Sequence, residues 1–276
     1  MNKTIAIAGL GWLGLPLAQK LSSLGYSVKG SVTSLSKAKQ LQENGFEAYP
    51  VEIAEMGVTG EVKALLKDTE CLIVMIPPGL RRNTGADYVL KMVHFLEEIK
   101  RMKVSKVILV SSTSVYDDSQ GIVTEQDEPE PQTIAAKQLR QVEELFVNTM
   151  AFRKTVVRFG GLFGGSRKPA RYLAGRKDLK DGNAPVNLIH REDCIKILIE
   201  IIKQDAFGKG NSQTGIIFNA VNPHHPKKSD YYVYKASELD LEPPTFLEED
   251  SNDIFKQVDS ENLKSILNYV FEKPLL

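Results

Sequence analysis

Three glycines near the start of the chain constrain its fold more than any other feature. The run Ile5-Ala6-Ile7-Ala8-Gly9-Leu10-Gly11-Trp12-Leu13-Gly14 places G-x-G-x-x-G after a short apolar segment and before an amphipathic one. That context gives the pattern its meaning, because a strand leads into the turn and a helix leaves it. Each glycine meets a separate demand. Gly9 permits a tight turn, Gly11 lets backbone approach a ligand, and Gly14 lets helix and strand pack closely. The amides of Trp12 and Leu13 then face phosphate oxygens with the helix dipole behind them. The turn is expected to hold a pyrophosphate; the competing reading is a glycine turn with no ligand.

The rest of the first 160 residues repeats the alternation. Strands are expected at 4–8, 27–32, 46–51, 72–76, 106–110 and 155–158. Helices are expected at 13–24, 36–44, 61–67, 87–102 and 133–150, with a further helix at 191–203 and a strand at 216–220. Apolar Val89, Met92, Val93 and Leu96 keep helical spacing in the longest of these. Strands alternating with helices imply a parallel sheet covered on both faces, and right-handed crossovers make it doubly wound. The expected class is therefore an α/β Rossmann fold. Residues 1–160 read as the NAD(P)-binding domain. Residues 161–276, where the alternation weakens, read as a mixed region that completes the sheet and forms a small C-terminal substrate-side lobe.

Composition excludes several functions for this 276-residue chain. Lys+Arg and Asp+Glu both number 35, so the basic excess of a nucleic-acid binder is missing. Zero net charge gives little self-repulsion and leaves the oligomeric state open. The stretch after Lys3 imitates a short signal peptide, but its glycines fit strand-turn-helix better. No later segment has eighteen uninterrupted apolar residues, so neither membrane nor nucleic acid is expected as a partner, and a cytoplasmic location is. Cys71 and Cys194 read as buried thiols of a reducing compartment. No metal site is expected, since His224-His225 lacks a third ligand.

The end of the second strand bears on the choice of cofactor. An NAD site places an acid there for the ribose hydroxyls. Lys29-Gly30-Ser31-Val32-Thr33-Ser34-Leu35-Ser36-Lys37 has none. Thr33, Ser34, Ser36 and Lys37 offer hydroxyls and a charge that suit a 2′-phosphate, so NADP is favoured over NAD. The same hydroxyls also suit a helix cap. Glu52 and Ile53 follow the third expected strand and are candidates for the adenine, the acid otherwise being solvated. Ile76-Pro77-Pro78-Gly79 ends the fourth, either as a cofactor turn or as a simple strand terminator.

The middle of the chain adds further motifs. Val110-Ser111-Ser112-Thr113-Ser114-Val115-Tyr116, Glu125-Gln126-Asp127-Glu128-Pro129 and Pro131-Gln132-Thr133 follow one another in order. Arg158-Phe159-Gly160-Gly161-Leu162-Phe163-Gly164 and Asn187-Leu188-Ile189-His190-Arg191-Glu192-Asp193 come after them. Together they resemble the extended short-chain dehydrogenase/reductases over most of residues 3–200, and the tail from Val258 to Pro274 is similar to that family's C-terminal helix ending. The resemblance implies Ser111 beside the cofactor, Thr113 as the catalytic hydroxyl, and Tyr116, Phe163, Arg167, Arg171, Asn187 and His190 on the substrate side. Thr113 can instead satisfy local backbone, and His190 can tie its motif to backbone. The basic group Arg167, Lys168, Arg171, Arg176 and Lys177 would hold a substrate diphosphate, or it is a solvated surface.

One departure stands out. The family's Tyr-x-x-x-Lys falls on Ala135 and Leu139, and neither exchanges a proton. Lys137 lies roughly 200° around the helix from residue 139 and does not replace the lost lysine. This loss is similar to the atypical YeeZ-like subgroup, described as NAD-dependent epimerase/dehydratase-like. The resemblance implies an oxidoreductase or epimerase/dehydratase acting on a small or sugar-nucleotide-like substrate without the usual dyad. The alternative is a non-catalytic NADP(H)-sensing regulatory or binding protein.

Overall fold

Ile5, Ala6, Ile7 and Ala8 are wholly buried, and the main sheet is built outward from this short strand. In this computed structural model of the protein, the described residues are 3–78, 87–208, 215–248 and 254–276. In chain order the elements begin with β1 (Thr4–Ala8), α1 (Gly14–Ser23), β2 (Ser27–Val32), α2 (Leu35–Glu43), β3 (Glu47–Ala54) and β4 (Gly57–Gly60). They continue with α3 (Val62–Leu66), β5 (Cys71–Val74), α4 (Tyr88–Arg101), β6 (Lys106–Ser112), β7 (Ile122–Val123) and α5 (Ile134–Val147). Next come β8 (Arg153–Phe159), β9 (Gly161–Phe163), β10 (Leu188–His190), α6 (Arg191–Lys203) and β11 (Ile216–Ala220). The last are α7 (Lys228–Ser237), β12 (Gln257–Val258) and α8 (Glu261–Ser265).

The main sheet has the order β11-β8-β6-β5-β1-β2-β3-β4. β1 pairs in parallel with both β2 and β5, so the strand order reverses there. In an open α/β sheet that reversal marks the crevice where ligands bind, at the strands' carboxyl ends. The fold is thus the mostly parallel, helix-flanked Rossmann type that the alternation implies. β3 is longer than expected and turns back as the antiparallel strand β4, which closes one edge.

Local chemistry sets the helix boundaries. Ser34, Asp87 and Thr133 cap α2, α4 and α5 by accepting from the backbone N–H groups of Lys37, Leu90 and Ala136. Gly25 and Gly45 follow α1 and α2 with φ of 87° and 81°, the left-handed stop that glycine adopts without strain.

The chain divides into two compact units that interleave along the sequence. The first takes Met1–Ser112, Gln132–Arg158 and Ile199–Ile217; the second takes Thr113–Pro131, Phe159–Leu198 and Phe218–Leu276. Residues after α6 are stitched to β8 within the first unit. Thr155 Oγ1 donates to the carbonyl of Ala206 at 2.7 Å, and Gly208 N–H donates to the carbonyl of Lys154 at 3.0 Å. The second unit has two small parallel sheets, β9 with β10 and β7 with β12.

Candidate dinucleotide site

The glycine turn leaves β1 at the point where the strand order reverses. Its conformation is held from β2: Gly9 N–H donates to Ser31 Oγ at 3.2 Å, and Leu10 N–H donates to the Ser31 carbonyl at 2.7 Å. Gly9 has φ of +115° and a Cβ there would lie 3.2 Å from the Met75 carbonyl oxygen, so the backbone itself requires glycine. A Cβ at Gly14 would lie 2.1 Å from the Gly9 carbonyl oxygen. Gly14→Ala is accordingly expected to cost about 1–3 kcal/mol of stability, the usual range for overpacking. Urea denaturation measures it, and an unchanged midpoint would remove the close-packing argument.

Gly11 is different. A Cβ built there meets nothing within 4 Å, and its φ is not in the left-handed region. The protein's own packing therefore does not require glycine at 11. The open space lies at the head of α1, whose N-terminus carries no side-chain cap and no acid in its first turn. A helix start left uncapped in this way presents N–H groups and positive dipole to an anion. The residues present fit a dinucleotide pyrophosphate.

Around the turn, the other expected cofactor residues fall at strand ends of the first unit. Thr33, Ser34, Ser36 and Lys37 are all exposed just beyond β2. Ser34 serves as the α2 cap, and its Oγ lies 2.7 Å from Ser36 Oγ. Glu52 and Ile53 sit within the β3–β4 hairpin, opposite Thr59 and Val58. Ile76, Pro77 and Pro78 follow β5, while Gly79 lies outside the described residues. Buried Tyr88 donates its hydroxyl to the Ile76 carbonyl at 3.0 Å and so fixes this turn to the start of α4. Burial raises the Tyr88 phenol well above its ordinary value, so it remains a donor.

β6 and α5 bring together a group that motif reading missed. Ser111 is buried and its hydroxyl donates to Glu143 Oε1 at 2.6 Å. Glu143 also receives Arg158, through Nε at 3.1 Å to Oε1 and Nη2 at 2.7 Å to Oε2. Ala135 is half-buried and Leu139 buried on the same helix. Ser112, which ends β6 half-buried, faces opposite to Ser111 by strand alternation.

In the second unit, Thr113 is buried at the start of a 3-10 turn, and its carbonyl accepts from Tyr116 N–H. The Tyr116 side chain is buried, and its hydroxyl donates to the Thr124 carbonyl at 2.8 Å. Asn187 uses both ends of its amide on the chain around β12: Nδ2 donates to the Lys256 carbonyl at 2.7 Å and Oδ1 accepts from Val258 N–H at 2.9 Å. His190 accepts from Glu192 N–H through Nδ1 and stands edge-on to Phe163 at 5.0 Å. Burial lowers its pKa below the ordinary imidazole value. Glu125, from the motif after β7, accepts from the N–H groups of Asn219, Glu261 and Asn262, and burial raises its carboxyl. Arg167 and Arg171 are exposed, while Lys177 pairs with Glu242 at 2.6 Å. Among the described residues no cluster of His, Cys, Asp and Glu could hold a metal, and no helix is long and apolar enough to cross a membrane.

Comparison with known proteins agrees with this geometry. Residues 9–205 match the family described as NAD(P)H-binding. Protein YeeZ of Escherichia coli (strain K12) is 32% identical over 99% of this chain and 97% of its own. Among solved structures, UDP-glucuronic acid 4-epimerase from Bacillus cereus, in complex with UDP-glucuronic acid and NAD, superposes with a TM-score of 0.77 at 19% identity. That match covers 99% of this chain and 95% of the other. UDP-N-acetylglucosamine 4-epimerase from Bacillus cereus gives 0.76 at 14% identity, over 99% and 93%. At these identities the two epimerases speak to fold.

Proposed function

Because the chain belongs to the NAD(P)H-binding family, as a homologue of YeeZ with an extended short-chain dehydrogenase/reductase fold, we propose that it is an NADP(H)-dependent oxidoreductase or epimerase/dehydratase. Its substrate is a small molecule, with a sugar nucleotide the nearest class by analogy with the fold's other members. The observation that supports this reading is the open space above Gly11, which nothing among the described residues explains and a pyrophosphate does. The turn's amides and α1 hold the phosphates. Thr33, Ser36 and Lys37 take the 2′-phosphate, with no acid at the end of β2 to repel it. Ile76, Pro77 and Pro78 lie along the cofactor's path at the end of β5. When bound, the nicotinamide supplies hydride exchange with a carbinol or carbonyl carbon. The protein's part is to orient it and to exclude water, with hydroxyls at the end of β6 facing the substrate.

NADPH is expected to bind more tightly than NADH, and calorimetric titration of both decides it. Lys37→Glu should reverse the preference, since it substitutes a carboxylate for the charge that attracts the phosphate. Equal affinities, or a preference for NADH, would remove the NADP assignment. Binding of NADPH with no turnover on any carbonyl or sugar-nucleotide substrate would replace the enzyme by a cofactor-sensing protein.

A further inference from the structure

The Rossmann sheet holds a dinucleotide in two halves, one mononucleotide on each side of the point where strand order reverses. Here β1, β2 and β3 form the half with the exposed hydroxyls and Lys37; β5, β6 and β8 form the other. In the second half, α5 offers no tyrosine or lysine at 135 and 139. One turn past Leu139 it presents Glu143, which with Arg158 is only 1% exposed. Ser111 and Arg158 each stand one residue before the C-terminal end of their strands, β6 and β8, which are neighbours in the sheet. Glu143 grips both. A second guanidinium, Arg140, lies 3.6 Å from the same carboxylate while its Nε holds Glu144 at 3.1 Å.

We infer that Glu143 and Arg158 are positioning residues for the nicotinamide half of the cofactor, fixing the carboxyl ends of β6 and β8 and making Ser111 a hydrogen-bond acceptor. The inference rests on the dinucleotide reading above. Two observations carry it beyond structural support. Burying an ion pair does not in general stabilise a fold better than apolar side chains of similar volume do, so stability alone gives this pair no reason to be here. The hydroxyl of Ser111 has one hydrogen, and Glu143 takes it. Only its oxygen lone pairs remain, and these match N–H and O–H donors, which the nicotinamide carboxamide and its ribose both carry.

The test separates the two halves of the cofactor. NADPH and adenosine 2′,5′-bisphosphate, which lacks the nicotinamide half, are titrated into the wild type, Ser111→Ala, Glu143→Gln and the double variant Glu143→Leu/Arg158→Leu. Ser111→Ala removes only a hydroxyl and remains informative if Glu143→Gln, with Arg158 left uncompensated, does not fold. Both single variants are expected to bind NADPH about tenfold more weakly, a loss of about 1.4 kcal/mol, while the bisphosphate affinity is unchanged. The double variant is expected to recover the melting temperature lost by Glu143→Gln, because no lone charge is buried, yet to bind NADPH as weakly. Recovery of NADPH affinity along with stability, a parallel loss of both ligands, or unchanged NADPH binding in Ser111→Ala and Glu143→Gln would overturn the inference alone. A wild type that binds neither ligand would overturn the dinucleotide reading, and this inference with it.

Discussion

Gly11→Val is expected to abolish dinucleotide binding in a protein that still folds. The two halves of that statement come from one observation: a Cβ at 11 would meet no atom of the described residues beyond its chain neighbours within 4 Å. The branch point of a valine there is free of internal clash, and valine near a helix start costs no more than about 0.7 kcal/mol in propensity. The added methyl groups would fill the volume that the proposed pyrophosphate takes. Affinity should fall by about 100-fold or more, at least roughly 2.7 kcal/mol. Trp12, the only tryptophan in the chain, lies in the turn and reports NADPH binding by its fluorescence. Near-normal affinity in a variant with a native melting temperature would show that the ligand does not lie over this turn. Gly14→Ala is the contrasting control, since its clash is internal.

Turnover on simple carbonyls with NADPH is expected to be very slow in the wild type and to rise in Ala135→Tyr/Leu139→Lys. A positioned general acid or base contributes about 10²–10⁴ in rate. α5 supplies none at 135 or 139. Tyr116 is buried with its hydroxyl given to a backbone carbonyl, and His190 Nδ1 is engaged by Glu192 N–H. The tyrosine would enter a half-buried position, and the lysine would sit one helical turn from Glu143. The readout is oxidation of NADPH, followed by loss of the reduced ring's absorbance, across a panel of aldehydes and ketones. Ordinary enzyme rates in the unmodified protein would defeat the argument from the missing dyad. Ser112, half-buried at the end of β6, would then be the first residue to mutate.

Much of the fold was legible because local signals agreed with the final packing. β1, the glycine turn and α1 follow from an apolar run, three glycines and a helical period, and the first unit has them where expected. β4 was not legible. Gly57 and Gly60, with φ of 131° and 86°, make Gly57-Val58-Thr59-Gly60 read as a loop, and only its pairing with β3 makes it a strand. α7 was hidden for the opposite reason. Tyr231, Tyr232, Val233 and Tyr234 favour strands locally, and burial of Tyr231 and Ala236 overrides that preference. The candidate site divides in the same way. The glycine turn at the end of β1 depends on glycine identity and could be read directly. Glu143 and Arg158 look like ordinary surface charges fifteen positions apart, and only the fold buries them together. The committed amides of Asn187 and the burial of Thr113 likewise depend on segments distant in sequence, or on a turn the motif does not specify.

The interleaving of the two units also bears on how the chain comes to be folded. The first unit includes residues 199–217, so it is unfinished until Ile217 has left the ribosome. Until residues 205–208 have been made, β8 lacks the backbone and side-chain partners they give it, including Asp205 on Arg153 and the Ala206 carbonyl on Thr155. Closing such distant contacts costs loop entropy before they return any stability, and this slows folding. The glycine turn, made among the first residues synthesised, therefore waits for most of the chain before the sheet beneath it is complete. During that interval the edge of β8 that β11 later covers offers its backbone groups to other chains, and aggregation is expected to compete with folding at that strand.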